Sequence, residues 1–415
     1  MNQAVAPHLL FGLNPMWASL AVLAVTYAFI IAGPFNHAIV ALVAAVVIVI
    51  IGLLDQGEAI RGVDWNTIGL LAGMMILVSI SRRSGLFQYL AIMSAQRVRA
   101  NPAGILLMLQ LATAVLSAVL NNVSTVLLMV PVTLVIAEEL ELPPFPFLFA
   151  EVFAANVAPA ALLVMAVQAT LVHLIWGRSL QASAERRVLV MGMNAPGMVT
   201  DWVLLRRSVA VLAAVLAAFV FSGPLHLEPA TIAVAGAAVL MLLDNLQQRG
   251  SRQADHVHAT FAEIEWATIF FFIGLFVAVH AVEASGFLTL VGGKLVALTG
   301  GNLVVAATII LWISAILSAV IDNIPFVATM IPLIKGMAPA FGGPNAIEPL
   351  WWSLSLGACL GGSGTLTGAS ANLAVAGIAG RNGIRFGFMR YLIYGAPLTL
   401  VSIAICQIYV WLRYF

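Results

Sequence analysis

Charge is what this sequence has least of. Its 415 residues include 18 Lys and Arg and 17 Asp and Glu, so only 8% are charged while 62% are hydrophobic. Soluble domains are about a quarter charged, which excludes a large soluble protein with an outsized core. The first charged side chain is Asp55, after two long apolar runs. A net charge of +1 offers no footprint for nucleic acid. Cysteine is nearly absent as well: Cys359 and Cys406 stand alone in apolar surroundings, which excludes a disulfide scaffold and a cysteine metal motif. No basic residue precedes the run Met16–Gly33, and a second run follows directly, so a retained transmembrane helix is expected rather than a signal peptide. An all-α polytopic membrane protein without a sizeable soluble domain is left.

What is present is a duplicated stretch. Leu116–Pro131 reads LSAVLNNVSTVLLMVP and Leu317–Pro332 reads LSAVIDNIPFVATMIP, 201 residues later with 8 of 16 positions identical. Each apolar run is broken by a polar pair, Asn121-Asn122 and Asp322-Asn323. Polar groups are costly in lipid unless partnered. Matched breaks in two halves point to a transporter's binding site. The match at this offset is ungapped from Trp65/Trp266 through Gly73/Gly274 and Ser84-Gly85/Ser285-Gly286.

Helices are expected over 16–33, 38–54 and 67–81, an interfacial segment over 84–99, and a re-entrant hairpin over 103–140 with its tip at 121–125. Segments 145–155 and 160–176 follow. The polar stretch 179–207 reads as a loop between halves. The second half repeats the plan: helices 208–222 and 230–243, a polar loop 244–263, a helix 266–282, a hairpin over 303–335, a broken helix 350–379 and a last helix 391–412. The domains are then a first inverted repeat 1–177, a cytoplasmic linker 178–208 and a second inverted repeat 209–415.

Basic residues set the expected orientation. With re-entrant hairpins and a turn-back between 145 and 176, 14 of the 18 Lys and Arg fall on one side, which marks it as cytoplasmic. A straight crossing there would nearly erase the bias. The N- and C-termini then lie outside, and the two hairpins enter from opposite faces. Inverted repeats with facing broken elements are the architecture of alternating-access carriers.

Several polar groups compete for the site. Asn122 and Asn323 hold matched positions; each could tie down a hairpin tip or bind a solute. Asp322, which stands where the first repeat has Asn121, is the carboxylate set most deeply in an apolar run, and a carboxylate facing a cavity is by default a proton or cation site. It could instead cap the helix beginning at Ile324-Pro325. Gly361-Gly362-Ser363-Gly364-Thr365 breaks a helix and offers backbone dipoles and hydroxyls, to which Thr367 and Asn372 add. Close helix packing would explain the glycines but not the hydroxyls. Glu151, His173, His280 and Glu283 are weaker candidates. Cys359 could meet a thiophilic solute, although packing is its ordinary role.

NNVSTVLLMVPVTLVIAEEL at 121–140, DNIPFVATMIPLIKGMA at 322–338 and GACLGGSGTLTGASAN at 357–372 resemble the ion transporter superfamily, in its arsenite-permease and pink-eyed-dilution-like branch, which also holds sodium/proton antiporters. The likeness spans nearly the whole chain from about residue 15. It implies elevator-type exchange, a bacterial inner-membrane location, and arsenite or antimonite efflux driven by protons or assisted by an ATPase subunit. The implied solute site is Asn121, Asn122, Ser124, Thr125, Asn156, Asn323, Gly361, Gly362, Ser363, Gly364, Thr365 and Asn372, with Asp322 for proton or cation coupling. Expected partners are the small solute, protons and membrane lipid; a homodimer is compatible. No cofactor, bound metal, catalytic residue or nucleic acid is expected. One departure stands out. The family's first repeat usually carries its own glycine-rich segment after the position of Asn156, whereas this chain passes through Pro159 directly into 160–176. That disfavours a symmetric sodium site and leans towards protons through Asp322, or a uniport.

The absence of Arg or Lys from both hairpin tips and the glycine loop argues against a carboxylate solute such as citrate and for a neutral trihydroxy metalloid. A sodium/proton antiporter and a passive channel stay open within the transport class. Gly361-Gly362-Ser363-Gly364 with His280 also admits an intramembrane serine hydrolase, on a short pattern that leaves the duplication unexplained.

Overall fold

Apolar runs punctuated by Gly, Pro and Asn fold here as helices throughout. The computed structural model describes residues 14–32, 35–117, 122–156, 162–246 and 251–415, and contains no strand among them. In chain order the helices are α1 (Pro15–Ala32), α2 (His37–Ile50), α3 (Gln56–Arg61), α4 (Trp65–Arg83), α5 (Leu86–Arg97), α6 (Pro102–Ser117), α7 (Asn122–Glu139), α8 (Phe145–Asn156), α9 (Leu162–Trp176), α10 (Ala184–Met191), α11 (Trp202–Val220), α12 (Ser222–Leu225), α13 (Pro229–Asn245), α14 (Ser251–Ala262), α15 (Trp266–Ala284), α16 (Phe287–Leu298), α17 (Leu303–Ser318), α18 (Asn323–Met337), α19 (Glu348–Gly361), α20 (Ser370–Arg381) and α21 (Phe388–Tyr414). Among the described residues, α4, α11, α15, α18 with the turn after it, and α21 are long and apolar enough to cross a membrane.

The two halves interlock through glycine. Cβ atoms at Gly73 of α4 and Gly274 of α15 would lie 2.7 Å from the Ala233 backbone and 2.5 Å from the Ala41 backbone. Without them, α4 packs closely on α13 and α15 on α2, each half supplying one member of each pair. Smaller details repeat at the 201-residue offset. The indole nitrogens of Trp65 and Trp266 donate to the carbonyls of Ile60 and Phe261. Gly85 and Gly286 both stand at φ 81°. The left-handed pair Gly300-Gly301 has its counterpart in Arg99-Ala100, at φ 54° and 51°.

α4 and α15 run antiparallel. The start of α4 meets the end of α15, where a Cβ at Gly62 would touch His280. At the opposite end, Arg82 and Ser79 of α4 bond Glu263, just before α15, at 2.6 and 2.8 Å. This pair, with α1–α3 and α11–α14, forms one layer. The hairpins α6–α7 and α17–α18, with α5, α8–α10, α16 and α19–α21, form the other around two apolar cores of their own.

Half-length helices meet inside the second layer. α8 and α20 have 12 residues each, about 18 Å, too short to cross. The chain turns back between α8 and α9: Trp176, at the end of α9, sets its ring edge-on to Phe145 at 5.8 Å and tilted to Phe149 at 5.5 Å, at the start of α8. Phe386 joins the same aromatic nest at 5.1 Å from Phe145, with the Arg390 guanidinium 4.0 Å over that ring. α19 and α20, in contrast, pass through: α19 begins where Tyr414 reaches Glu348, and α20 ends beside the Phe145 nest. The second-layer halves therefore differ as the missing glycine segment implies.

Several sequence expectations need correction. The stretch 179–207 is not a loop: it holds α10, and α11 already begins at Trp202, capped by Asp201 on the amides of Val203 and Leu204. The loop expected at 244–263 is mostly α14. Both are amphipathic, and polarity alone hid them. The helix break extends over 362–369, beyond the 361–365 stretch expected, and Asn372 lies in the first turn of α20. Ser124 and Thr125 are helical, because α7 begins at Asn122.

Candidate functional site

A chain of amides runs through the middle of the second layer. Ser117, at the end of α6, donates to the Ala155 carbonyl and lies 3.2 Å from Asn122 Oδ1. Asn122 Nδ2 donates to Asn156 Oδ1 at 2.8 Å. Asn156 Nδ2 donates to Asn372 Oδ1 at 3.1 Å and to the Val152 carbonyl. Asn372 Nδ2 ends the chain on the carbonyls of Gly362 and Thr365, at 2.8 and 2.9 Å. The first hairpin is thus tied to the glycine loop of the second half. Burial of Asn156 and Asn372 makes each of these bonds expensive to lose.

The second hairpin repeats the device. Ser318 donates to the Ala358 carbonyl, and Asn323, turned with its nitrogen inward, donates to Ser318 Oγ at 2.7 Å and to the carbonyls of Ala358 and Gly368 at 3.2 Å. Gly362 leaves room for this amide; a Cβ there would come within 2.1 Å of it. Gly357 and Gly361 admit the α17 backbone, at 2.4 Å from the Leu311 and Ala315 carbonyls for a notional Cβ. Close packing therefore accounts for Gly361. Thr365 donates to the Ala319 carbonyl, Tyr391 OH donates to the Ser363 carbonyl at 2.8 Å, and Ser363 is fully buried with no partner for its hydroxyl among the described residues.

Asp322 faces the other way. It occupies the N-cap position of α18 but makes no side-chain cap bond; its Oδ2 accepts from the Ser370 amide at 3.1 Å, the first residue of α20. The carboxylate lines a cavity of about 440 Å³ between the two layers. The hairpin side supplies Asn122, Val123, Asp322, Asn323, Cys359 and Ser370, and the α4–α15 side supplies Asp64, Thr67, Glu265, Thr268, Phe272 and Phe276. No Lys or Arg lines it among the described residues. An adjoining cavity of about 430 Å³ reaches Asn36 and His37 past Asp322.

The expected site residues therefore divide. Asn122, Asn323 and Asp322 reach the cavity. Asn156, Asn372, Gly361, Gly362, Ser363, Gly364 and Thr365 form the layer behind it and hold the tips in place. Thr125 is buried. Asn121 and the Ser124 side chain lie outside the described residues. Sequence reading missed Ser370, whose backbone amide carries no residue-type signal, and the pairs Asp64/Thr67 and Glu265/Thr268. Those pairs were legible, since they stand at matched positions of the ungapped offset. Glu151 is buried away from this cavity, bonded by Thr133 of α7.

Two helical layers, re-entrant hairpins with polar tips and a cavity at their seam define a polytopic membrane transporter. The chain belongs to the citrate transporter family, whose model matches residues 27–357. An uncharacterized transporter of Mycobacterium tuberculosis is 38% identical over 95% of this chain and 99% of its own length. The human P protein is 30% identical over 85% of this chain, which corresponds to 54% of that protein. Among solved structures, the YdaH transporter of Alcanivorax borkumensis, described as having an unusual topology, superposes with a TM-score of 0.55 at 13% identity, over 96% of this chain and 98% of that one. That likeness speaks for the fold alone.

Proposed function

We propose that this protein is a secondary carrier that exports a small neutral polyhydroxylated solute, arsenite or its antimony analogue, in exchange for protons, by elevator-type movement of the hairpin layer along α4 and α15. One observation carries the reading: among the described residues the seam cavity offers carboxylates, amides, hydroxyls and a thiol, and no Lys or Arg. Hydroxyl-rich solutes can donate to Asp322 and accept from Asn122 and the backbone amides beside it. A thiol at Cys359 suits a thiophilic centre. Asp322, set between the tip of the second hairpin and α20, is the coupling group. The membrane is the bacterial inner membrane, with both termini outside, as the basic residues favour.

The test is metalloid resistance in a sensitive host deleted for its own pumps, followed by arsenite flux in everted vesicles. Resistance abolished by Asp322→Asn, with normal membrane insertion, supports the reading. Flux that ignores the pH gradient removes the coupling role, and no flux removes the solute. Sodium-driven proton movement without metalloid would make the protein a sodium/proton antiporter instead.

A second reading rests on a different feature. The first turns of α7, α18 and α20 all line the cavity, and helix N-termini favour anions. With Asp322 neutralised, they could hold a carboxylate, the solute class in the family's description. Flux of labelled citrate and arsenite, measured side by side in proteoliposomes, decides between the two.

A further inference from the structure

Asp64 and Glu265 stand at matched positions, each one residue before a long helix, yet they lie at opposite ends of the antiparallel α4–α15 pair. Asp64 sits at the end where Gly62 meets His280, and Glu265 at the end where Glu263 holds Arg82. Each carboxylate receives a hydroxyl from three residues on: Thr67 to Asp64 at 2.7 Å and Thr268 to Glu265 at 3.1 Å. Both still border the cavity of about 440 Å³ that Asp322 lines. From Glu265 to Phe276 that cavity follows α15 for about 16 Å.

We infer that Asp64 and Glu265 are charge filters at the two mouths of the cavity, each favouring cationic and neutral solutes over anions approaching from its own face. Capping alone does not account for the pair. Asp64 caps α4 through the amides of Asn66 and Thr67, but Glu265 makes no such bond to α15. What the two share is sign, the threonine beside each, and the cavity. Arg82 and Arg83, basic side chains beside the Glu265 end, are already paired with Glu263 at 2.6 and 3.5 Å. A fixed carboxylate in a narrow mouth with low-dielectric walls concentrates cations and repels anions. Two-sided access rests on the carrier reading above, and the exclusion of anions agrees with its neutral solute rather than with the carboxylate of the second reading.

The chain supplies its own reporter. Cys359 lines the cavity, and the other cysteine, Cys406, is buried and can be replaced by Ser. In Cys406→Ser protein in sealed vesicles of each orientation, Cys359 is reacted with a cationic trimethylammonioethyl and an anionic sulfonatoethyl methanethiosulfonate. The cation should react faster from both faces. Asp64→Asn, which keeps the capping oxygen, should lower the cation-to-anion rate ratio by roughly threefold or more from one face only. Glu265→Gln should do so from the opposite face only. Ratios unchanged in both variants, both variants acting on the same face, or no reaction at Cys359 from either face would overturn the assignment. Should one variant fail to reach the membrane, the other still tests its own face. A protein with intact filters and no arsenite flux would refute the solute and leave the filters standing.

Discussion

Cutting the amide chain at its centre should uncouple the first hairpin from the glycine loop. Asn156→Ala removes the acceptor of Asn122 Nδ2 and the donor to Asn372 Oδ1. A buried group left unpaired costs about 1–3 kcal/mol. Asn372 is fully buried and suffers the full loss, while Asn122 borders the cavity and can turn to water there. The expected destabilisation is therefore about 2–4 kcal/mol. Asn156→Asp tests direction as well as size. Its oxygen still accepts from Asn122, but a second oxygen now faces Asn372 Oδ1. Asn372 cannot rotate to answer without taking Nδ2 off the carbonyls of Gly362 and Thr365. The measurement is SDS-induced unfolding in mixed micelles, run as a double-mutant cycle of Asn156→Ala with Asn372→Ala. Residues in one hydrogen-bond network couple by about 0.5–3 kcal/mol. If the two losses simply add to within about 0.5 kcal/mol, the amides do not act as a chain, and the two hairpins are not held as one body in this way.

Other expectations are simpler. Arg99→Gly should raise stability by about 1 kcal/mol, because an exposed non-glycine residue at φ 54° is replaced by the residue its counterpart Gly300 already is; a fall in the unfolding midpoint would count against strain there. Gly274→Leu should cost at least about 3 kcal/mol or prevent folding, since even a Cβ meets the Ala41 backbone at 2.5 Å, and size-exclusion profiles of the expressed protein would report it. Tyr391→Phe leaves the buried Ser363 carbonyl without its donor and should cost about 1–3 kcal/mol in the same unfolding assay. Glu263→Gln weakens partly exposed pairs with Arg82 and Arg83, so its cost should stay below about 1 kcal/mol and shrink in high salt.

Residue order alone determined the membrane setting, because 62% apolar residues with so few charges can be satisfied only in lipid. It also determined the duplication and the hairpins, because polar pairs inside apolar runs force the backbone to break at matched places. The turn-back after Asn156 was legible too, through the arginines and the missing glycine segment, and Trp176 against Phe145 realises it. Amphipathic α10 and α14 were not, since a polar composition looks alike in a loop and in a surface helix. The tertiary structure alone decided how the polar residues divide. Asn156, Asn372 and Thr365 have the same residue types as a solute pocket, yet each is bonded by another part of the protein, and Asn122, Asp322 and Ser370 are left to face the cavity. It also decided that Asp64 and Glu265, 201 residues apart in sequence, border one cavity from opposite ends, because two antiparallel helices carry equivalent positions to opposite faces.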